Sequence, residues 1–279
     1  MRTRVLQVST AALAVALVSA AGAGARAEAT QIKLATTLNA SQETPATTGD
    51  VSAARGTFAA TVTRTAEGAT VAWTLTFSGL TGPAAAAHIH TGARGVAGPV
   101  SVALCGPCES GVAGTATVTD AAVLAAIQNG GAYVNVHTAT NKAGEIRGQL
   151  GVVAPVRAAL GPGAEVPKPA GKLKRAKGTF TGTATRSGST GVLTWRLTFS
   201  GLTGKAVAAH IHAGARGKAG PVAAALCGPC KSGARGRATL SAALIKALEN
   251  GRAYVTVHTV RNPGGEIRGQ VPRLPLTLT

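Results

Sequence analysis

The chemistry open to this chain sits in six histidines, three in each of two repeated blocks. Ala-His-Ile-His spans Ala87 to His90 and returns letter for letter from Ala209 to His212; a third histidine follows each copy inside Val-His-Thr, as His137 and His258. On a strand, residues two apart point to the same face. His88 and His90 therefore share a face with Ile89 opposite, and Tyr133, Asn135 and His137 share one with Val134 and Val136 opposite. If the two strands are neighbours, three imidazoles converge. Three imidazole nitrogens with a further position open form a familiar site for zinc or copper. His88, His90 and His137, with His210, His212 and His258, are thus candidate metal ligands. The alternative is that they are polar caps hydrogen-bonded to the Gly-rich stretch from Gly92 to Gly98.

The same blocks hold all four cysteines, as Cys105-Gly-Pro-Cys108 and Cys227-Gly-Pro-Cys230. A thioredoxin-like redox motif belongs where a strand runs into a helix. Here Glu109-Ser110-Gly111 follows and the flanks are β, so each pair is expected to form a local disulfide, with metal ligation as the alternative. The run Gly-Glu-Ile-Arg-Gly-Gln puts Glu145 and Arg147, and Glu266 and Arg268, on one face of the last strand. They are expected to form an ion pair bracing the sheet edge; the functional alternative is that Arg147 draws anions to the histidines. Gly92 to Gly98 lacks the strand-to-helix setting of a phosphate cradle and is expected to be a tight turn.

Short strands must position these groups. Val71, Trp73, Leu75 and Phe77 alternate with Ala72, Thr74, Thr76 and Ser78, the period-2 pattern of a strand with one buried face. Further strands are expected over 32–40, 56–64, 86–90, 99–104, 114–119, 133–138 and 145–150. Asp120 before Ala-Ala-Val-Leu-Ala-Ala-Ile-Gln, with Asn129-Gly130 after it, marks one two-turn helix; Ser241 and Asn250-Gly251 bracket its counterpart over 242–249. The pattern implies an all-β chain of two tandem antiparallel Greek-key-like sandwiches or flattened barrels, each with one short helix. A repeat this long is expected to close its own core. Gly151 to Arg157 reads as a brief junction that keeps the two halves close.

Residues 1–27 read as an export signal: Met-Arg-Thr-Arg, an apolar run from Val5 to Ala21, then Ala25-Arg26-Ala27. No later stretch has the roughly 20 apolar residues of a spanning helix, so a soluble or peripherally attached product in the periplasm or outside the cell is expected. The net charge of +18 is unevenly spread. Residues 28–150 carry six basic and seven acidic side chains, whereas 151–279 carry nineteen and three. Lys172, Lys174, Arg175 and Lys177 form a dense basic run in the second half. Stacking aromatics are missing, which argues against nucleic acid; an anionic envelope surface or polymer is the expected partner.

Ala-His-Ile-His-x-Gly, Gly-Pro-Val, Tyr-Val-x-Val-His-Thr and Gly-Glu-Ile-Arg-Gly-Gln together resemble the CHRD domain, the module first named in chordin and widespread in exported bacterial proteins. The resemblance spans the mature chain as two domains, 28–150 and 151–279. It implies an extracellular binding protein; Cys-Gly-Pro-Cys lies outside the family's core pattern. A more distant similarity is to copper/zinc superoxide dismutases, which hold copper on a β-barrel with a His-x-His strand and a Val-His strand. This chain has no further His or Asp set for their zinc. The expectation is an exported tandem binding protein with a copper or zinc site in each domain. A copper-dependent redox enzyme and a metal-free structural envelope protein are the two rivals, and an extracellular protein is the other class of partner.

Overall fold

The computed structural model describes residues 31–278; the expected export signal, 1–27, lies outside them. The first half runs β1 (Gln31–Asn39), β2 (Arg55–Thr65), β3 (Gly68–Ser78), β4 (Ala84–Thr91), β5 (Val100–Cys105), β6 (Val112–Val118), α1 (Ala121–Gln128), β7 (Ala132–Thr138) and β8 (Ile146–Gln149). The second repeats it as β9 (Gly151–Leu160), β10 (Lys177–Ser187), β11 (Thr190–Ser200), β12 (Ala206–Ala213), β13 (Val222–Cys227), β14 (Ala234–Leu240), α2 (Ala242–Glu249), β15 (Ala253–Thr259) and β16 (Ile267–Val271). The fold is all-β and antiparallel, and its sheets stay open, so it is a sandwich and not the flattened barrel that the sequence also allowed.

In each half a sheet of long strands, β1-β2-β3-β6 or β9-β10-β11-β14, packs on a second sheet, β8-β7-β4-β5 or β16-β15-β12-β13. Alternation decides which residues enter the core: Val71, Trp73 and Leu75 are buried while Ala72, Thr74 and Thr76 are exposed. Phe58 stacks on Trp73 and Phe180 on Trp195, so each core is built round one aromatic pair among Val, Leu, Ile and Ala. Both helices are capped as expected, with Asp120 accepting from the amides of Ala122 and Val123, and Ser241 from that of Leu244.

The junction is not a linker. Gly151 to Arg157 belongs to β9, and Gly151, Val152 and Val153 pair with Ala35, Leu34 and Lys33 of β1. The two long-strand sheets are thereby one continuous sheet. Past β16, the chain end buries Leu274, Leu276 and Leu278, and the Leu278 amide donates to Gln128 Oε1 of α1, tying the second half to the first.

Gly114 lies directly opposite Trp73. A Cβ there would stand 2.7 Å from Trp73 Cζ2, too close for the ring to stay in place. Gly114→Ala is therefore expected to cost about 1–3 kcal/mol, the usual penalty for overpacking, read as a lower urea midpoint. An unchanged midpoint would mean that the indole has room to shift.

Candidate metal centre

The alternation on β4 and β7 works as the sequence implies. Ala87, Ile89, Val134 and Val136 are fully buried in the core. The opposite face gathers His88 and His90 with Tyr133, Asn135 and His137, because β4 pairs β7 with His88 opposite Asn135 and His90 opposite Tyr133. One ligand nitrogen from each of His88, His90 and His137 lies within 4.8 Å of the others, and the same holds for His210, His212 and His258. The face is not open to solvent, as strand parity alone suggested. His90 and His258 are buried, and the other four imidazoles are half-buried.

What covers the face also orients the rings. His90 Nδ1 lies 2.9 Å from Gly98 O and His137 Nδ1 3.0 Å from Lys142 O. A main-chain carbonyl only accepts, so both rings donate through Nδ1–H and present a bare Nε2. His137 Nε2 faces His88 Nδ1 at 3.2 Å, while His90 Nε2 is buried with no hydrogen-bond partner among the described residues. The second domain repeats this: His212 Nδ1 to Gly220 O 2.9 Å, His258 Nδ1 to Pro263 O 2.9 Å, His210 Nδ1 to His258 Nε2 3.2 Å, and an unpartnered His212 Nε2.

The three polar side chains of β8 and the residue before it hold those carbonyls in place. Arg147 donates to Ala93 O and Val96 O, at 2.8 and 3.1 Å, and Gln149 donates to Gly92 O at 2.8 Å. Together they clamp the 92–98 turn that presents Gly98 O. Gly98 itself admits no side chain, since a Cβ would overlap Thr91 O. Glu145 accepts from the Thr81 amide at 2.6 Å, from the Thr81 and Thr138 hydroxyls, and from Asn141 Nδ2 at 3.0 Å, fixing the turn that carries Lys142 O. Glu266, Arg268 and Gln270 make the corresponding bonds.

The expected ion pairs are therefore absent. Glu145 and Arg147 do share a face, but each is buried among the donors or acceptors of a different turn, and the one ion pair among the described residues is Arg186 with Glu249. Nor is Arg147 placed to draw anions: it is 1% exposed, with its guanidinium 3.4 Å above the centre of the Tyr133 ring. Tyr133 in turn stacks on His90, so cation, phenol and imidazole form one column. Arg268, Tyr254 and His212 form the matching column.

Burial holds His88, His90, His137, His210 and His258 below the ordinary histidine value, and neighbouring positive groups add to it. For His90 the Arg147 charge is one of these, opposed by the bond to Gly98 O. Neutral imidazole, the form that binds metal, is favoured. Burial would raise the Glu145 and Glu266 carboxyls, but their hydrogen bonds outweigh it and both lie below the ordinary value.

Sequence reasoning missed Glu43 and Glu165, which follow β1 and β9 and are buried near Arg147 and Arg268. Burial pushes Glu43 up to about 8 against the Arg147 charge and the bonds from Thr44 and Asn135. It pushes Glu165 to about 7 against the bond from Val166 and the Arg268 charge. The signal was there: Glu-x-Pro stands at the same place in both copies.

Cys105 is bonded to Cys108 and Cys227 to Cys230, with Cα–Cα distances of 5.4 and 5.3 Å, so these cysteines form local disulfides and are not metal ligands. No helix follows either pair. Such bonds fit an oxidising compartment. No helix among the described residues is long and apolar enough to cross a membrane. Lys172, Lys174 and Arg175 are exposed on the turn before β10, and Lys177 is that strand's exposed first residue. They lie apart from the histidines in sequence and sit on a strand of the other sheet or its approach.

Two antiparallel sandwiches, each with three imidazoles oriented by clamped turns, define the class. The chain belongs to the CHRD domain family, whose model matches residues 34–150 and again 156–271. Comparisons with curated proteins and with solved structures give no match. Tandem domains of this kind point to a binding protein.

The Glu43 carboxyl sets a pH dependence. Between its ordinary value of 4.5 and its folded value of about 8, the folded chain keeps a proton that the unfolded chain has released. Stability contributed by this group is thus present at low pH and lost as pH rises. Glu43→Gln should gain on the wild type from about pH 5 to about pH 8, by at most about 1.4 kcal/mol per pH unit. Denaturant titrations across that range measure it, and parallel curves would show that Glu43 is ionised in the fold.

Proposed function

We propose that this protein is an exported tandem binding module that holds one transition metal ion, copper or zinc, in each domain. His88, His90 and His137 serve the first site, and His210, His212 and His258 the second. One observation carries the reading. In each triad two rings are committed through Nδ1 to main-chain carbonyls, and one of the bare Nε2 atoms is buried without a partner. An unsatisfied buried polar atom is costly, and a metal ion shared with the two neighbouring imidazoles satisfies it. The 3.2 Å between His88 Nδ1 and His137 Nε2 is close to a tetrahedron's edge, about 3.3 Å for metal–nitrogen bonds of about 2.0–2.1 Å. The carbonyls that hold the outer nitrogens are the usual supports of metal-bound histidine. When bound, the ion supplies a Lewis-acidic centre with room for one more ligand.

The signal-like sequence pattern of residues 1–27 and the disulfides support a periplasmic or extracellular setting, and the exposed basic run from Lys172 to Lys177 supports attachment of the second domain to an anionic envelope surface or polymer.

Titration of untagged protein with Cu(II) or Zn(II) should saturate at two ions per chain. His90→Ala should leave one, because the second triad is separate. Binding should weaken as pH falls below about 6.5, where protons compete for the imidazoles. Unchanged stoichiometry in His90→Ala, or no binding by the wild type, would make the histidines structural and favour the metal-free rival. Arg147→Ala frees the 92–98 turn and is expected to weaken the first site by roughly 10–100-fold, as loss of a supporting group typically does, leaving the second at wild-type affinity.

A further inference from the structure

The outer face of the second domain's long-strand sheet carries charge that the fold does not need. Arg157 of β9 lies opposite Thr181 of β10, Thr181 opposite Arg196 of β11, and Arg196 directly opposite Arg235 of β14, a single row across four strands. Arg237, two residues on, stands on the same face opposite Thr194. All four arginines are exposed, and threonines 179, 181, 183, 194 and 239 fill most of the remaining face. β9, β10, β11 and β14 contain no Asp or Glu, and no ion pair among the described residues reaches these arginines. Like charges directly opposite one another on neighbouring strands, about 4.8 Å apart, destabilise a sheet. The first domain avoids that cost, with Ala35, Thr74, Ala113 and Thr115 at the matching positions.

The face is not flat at its inner end. It runs into a cleft of about 1100 Å³ over the β1–β9 seam, lined by Arg237, Thr194 and Thr239 from the second domain and by Thr37, Thr57 and Arg94 from the first. A planar bilayer cannot follow a sheet face into a cleft, whereas a linear chain can.

From this face and cleft we infer that the second domain binds an acidic polysaccharide, a linear sugar polymer bearing sulfate or carboxylate groups, along the row Arg157, Arg196, Arg235 and Arg237. Guanidinium groups match such oxyanions in paired hydrogen bonds, and the interleaved threonine hydroxyls match sugar hydroxyls. The absence of aromatic residues on the face leaves nothing to stack on an uncharged sugar. The inference rests on the proposed attachment of the second domain to an anionic polymer, but moves it from the Lys172–Lys177 turn to the sheet.

The test uses the full-length mature protein and two variants. One, the row variant, replaces three of the four arginines with the first domain's residues, Arg157→Ala, Arg196→Thr and Arg235→Ala; the other removes the turn's charge, Lys172→Ala, Lys174→Ala and Arg175→Ala. Affinity is measured for dextran sulfate, polygalacturonate, uncharged dextran, polyphosphate and phosphatidylglycerol vesicles over a range of salt. The wild type should bind dextran sulfate and polygalacturonate and ignore dextran. The row variant should lose on the order of tenfold or more and show a shallower salt dependence, since fewer counterions are released, while the turn variant keeps most of the affinity. If the triple variant does not fold, Arg196→Gln with Arg235→Gln carries the same comparison. Unchanged binding by the row variant overturns the inference and, if the turn variant loses affinity, leaves the turn as the attachment site. Tighter binding to polyphosphate or vesicles than to either acidic polysaccharide overturns the choice of polymer. No binding to any anionic probe overturns the attachment proposal as well, and none of these results bears on the metal titrations.

Discussion

A carbonyl oxygen held against the Nδ1 of an imidazole is the constraint on which the rest of each domain turns. It fixes which nitrogen carries the proton, and so which nitrogen is bare. That carbonyl sits on a turn, and a turn is the least rigid part of a sandwich. The chain therefore spends its largest buried polar side chains on the turns. Arg147 and Gln149 reach one, Glu145 reaches the other, and Tyr133 fills the space between guanidinium and imidazole. The strand that carries Arg147 and Gln149, and the residue just before it, thus orient rings on two other strands without touching the nitrogens that converge.

Burial of so many polar groups in one place is tolerable only because nearly all are satisfied. Glu145 takes four hydrogen bonds and Arg147 donates three. Against that background the unpartnered atoms stand out, and all but Trp195 Nε1 of the second core fall in matching places: His90 Nε2, Asn135 Oδ1 and Glu43 Oε1 in one domain, His212 Nε2, Thr256 Oγ1 and Glu165 Oε2 in the other. The same neighbourhood is thus left with unsatisfied polar atoms in both domains.

Much of this was legible in the residues. Period-2 alternation placed the strands and the caps placed both helices, because both signals are local. The convergence of His88, His90 and His137 followed from strand parity plus one assumption, that β4 and β7 are neighbours, which their register bears out. The failures were all matters of long-range competition. Glu145 and Arg147 share a face and were expected to pair, but residues two apart on a strand are separated by nearly 7 Å of rise, and the turns offered each a closer partner. Gly151 to Arg157 reads in the sequence as a brief junction; in the fold its first three residues pair with β1, and Pro155 lies beyond that stretch, paired only to β10. The repeated Glu-x-Pro marks Glu43 and Glu165 as positions to examine, but the burial of Glu43 beside Arg147, about a hundred residues away, is set by the fold and not by that local pattern.

The seam between β1 and β9 has a consequence for how the protein can be divided. Three residue pairs close an edge that each half would otherwise present to solvent, and exposed sheet edges recruit other strands. The duplication thus lets each copy act as the other's edge guard. A fragment cut at residue 150 keeps its histidines and loses its guard, so its natural fate is edge-to-edge self-association, with a second copy of β1 standing in for β9. Oligomers of such a fragment would report the missing neighbour and not the habit of the intact chain.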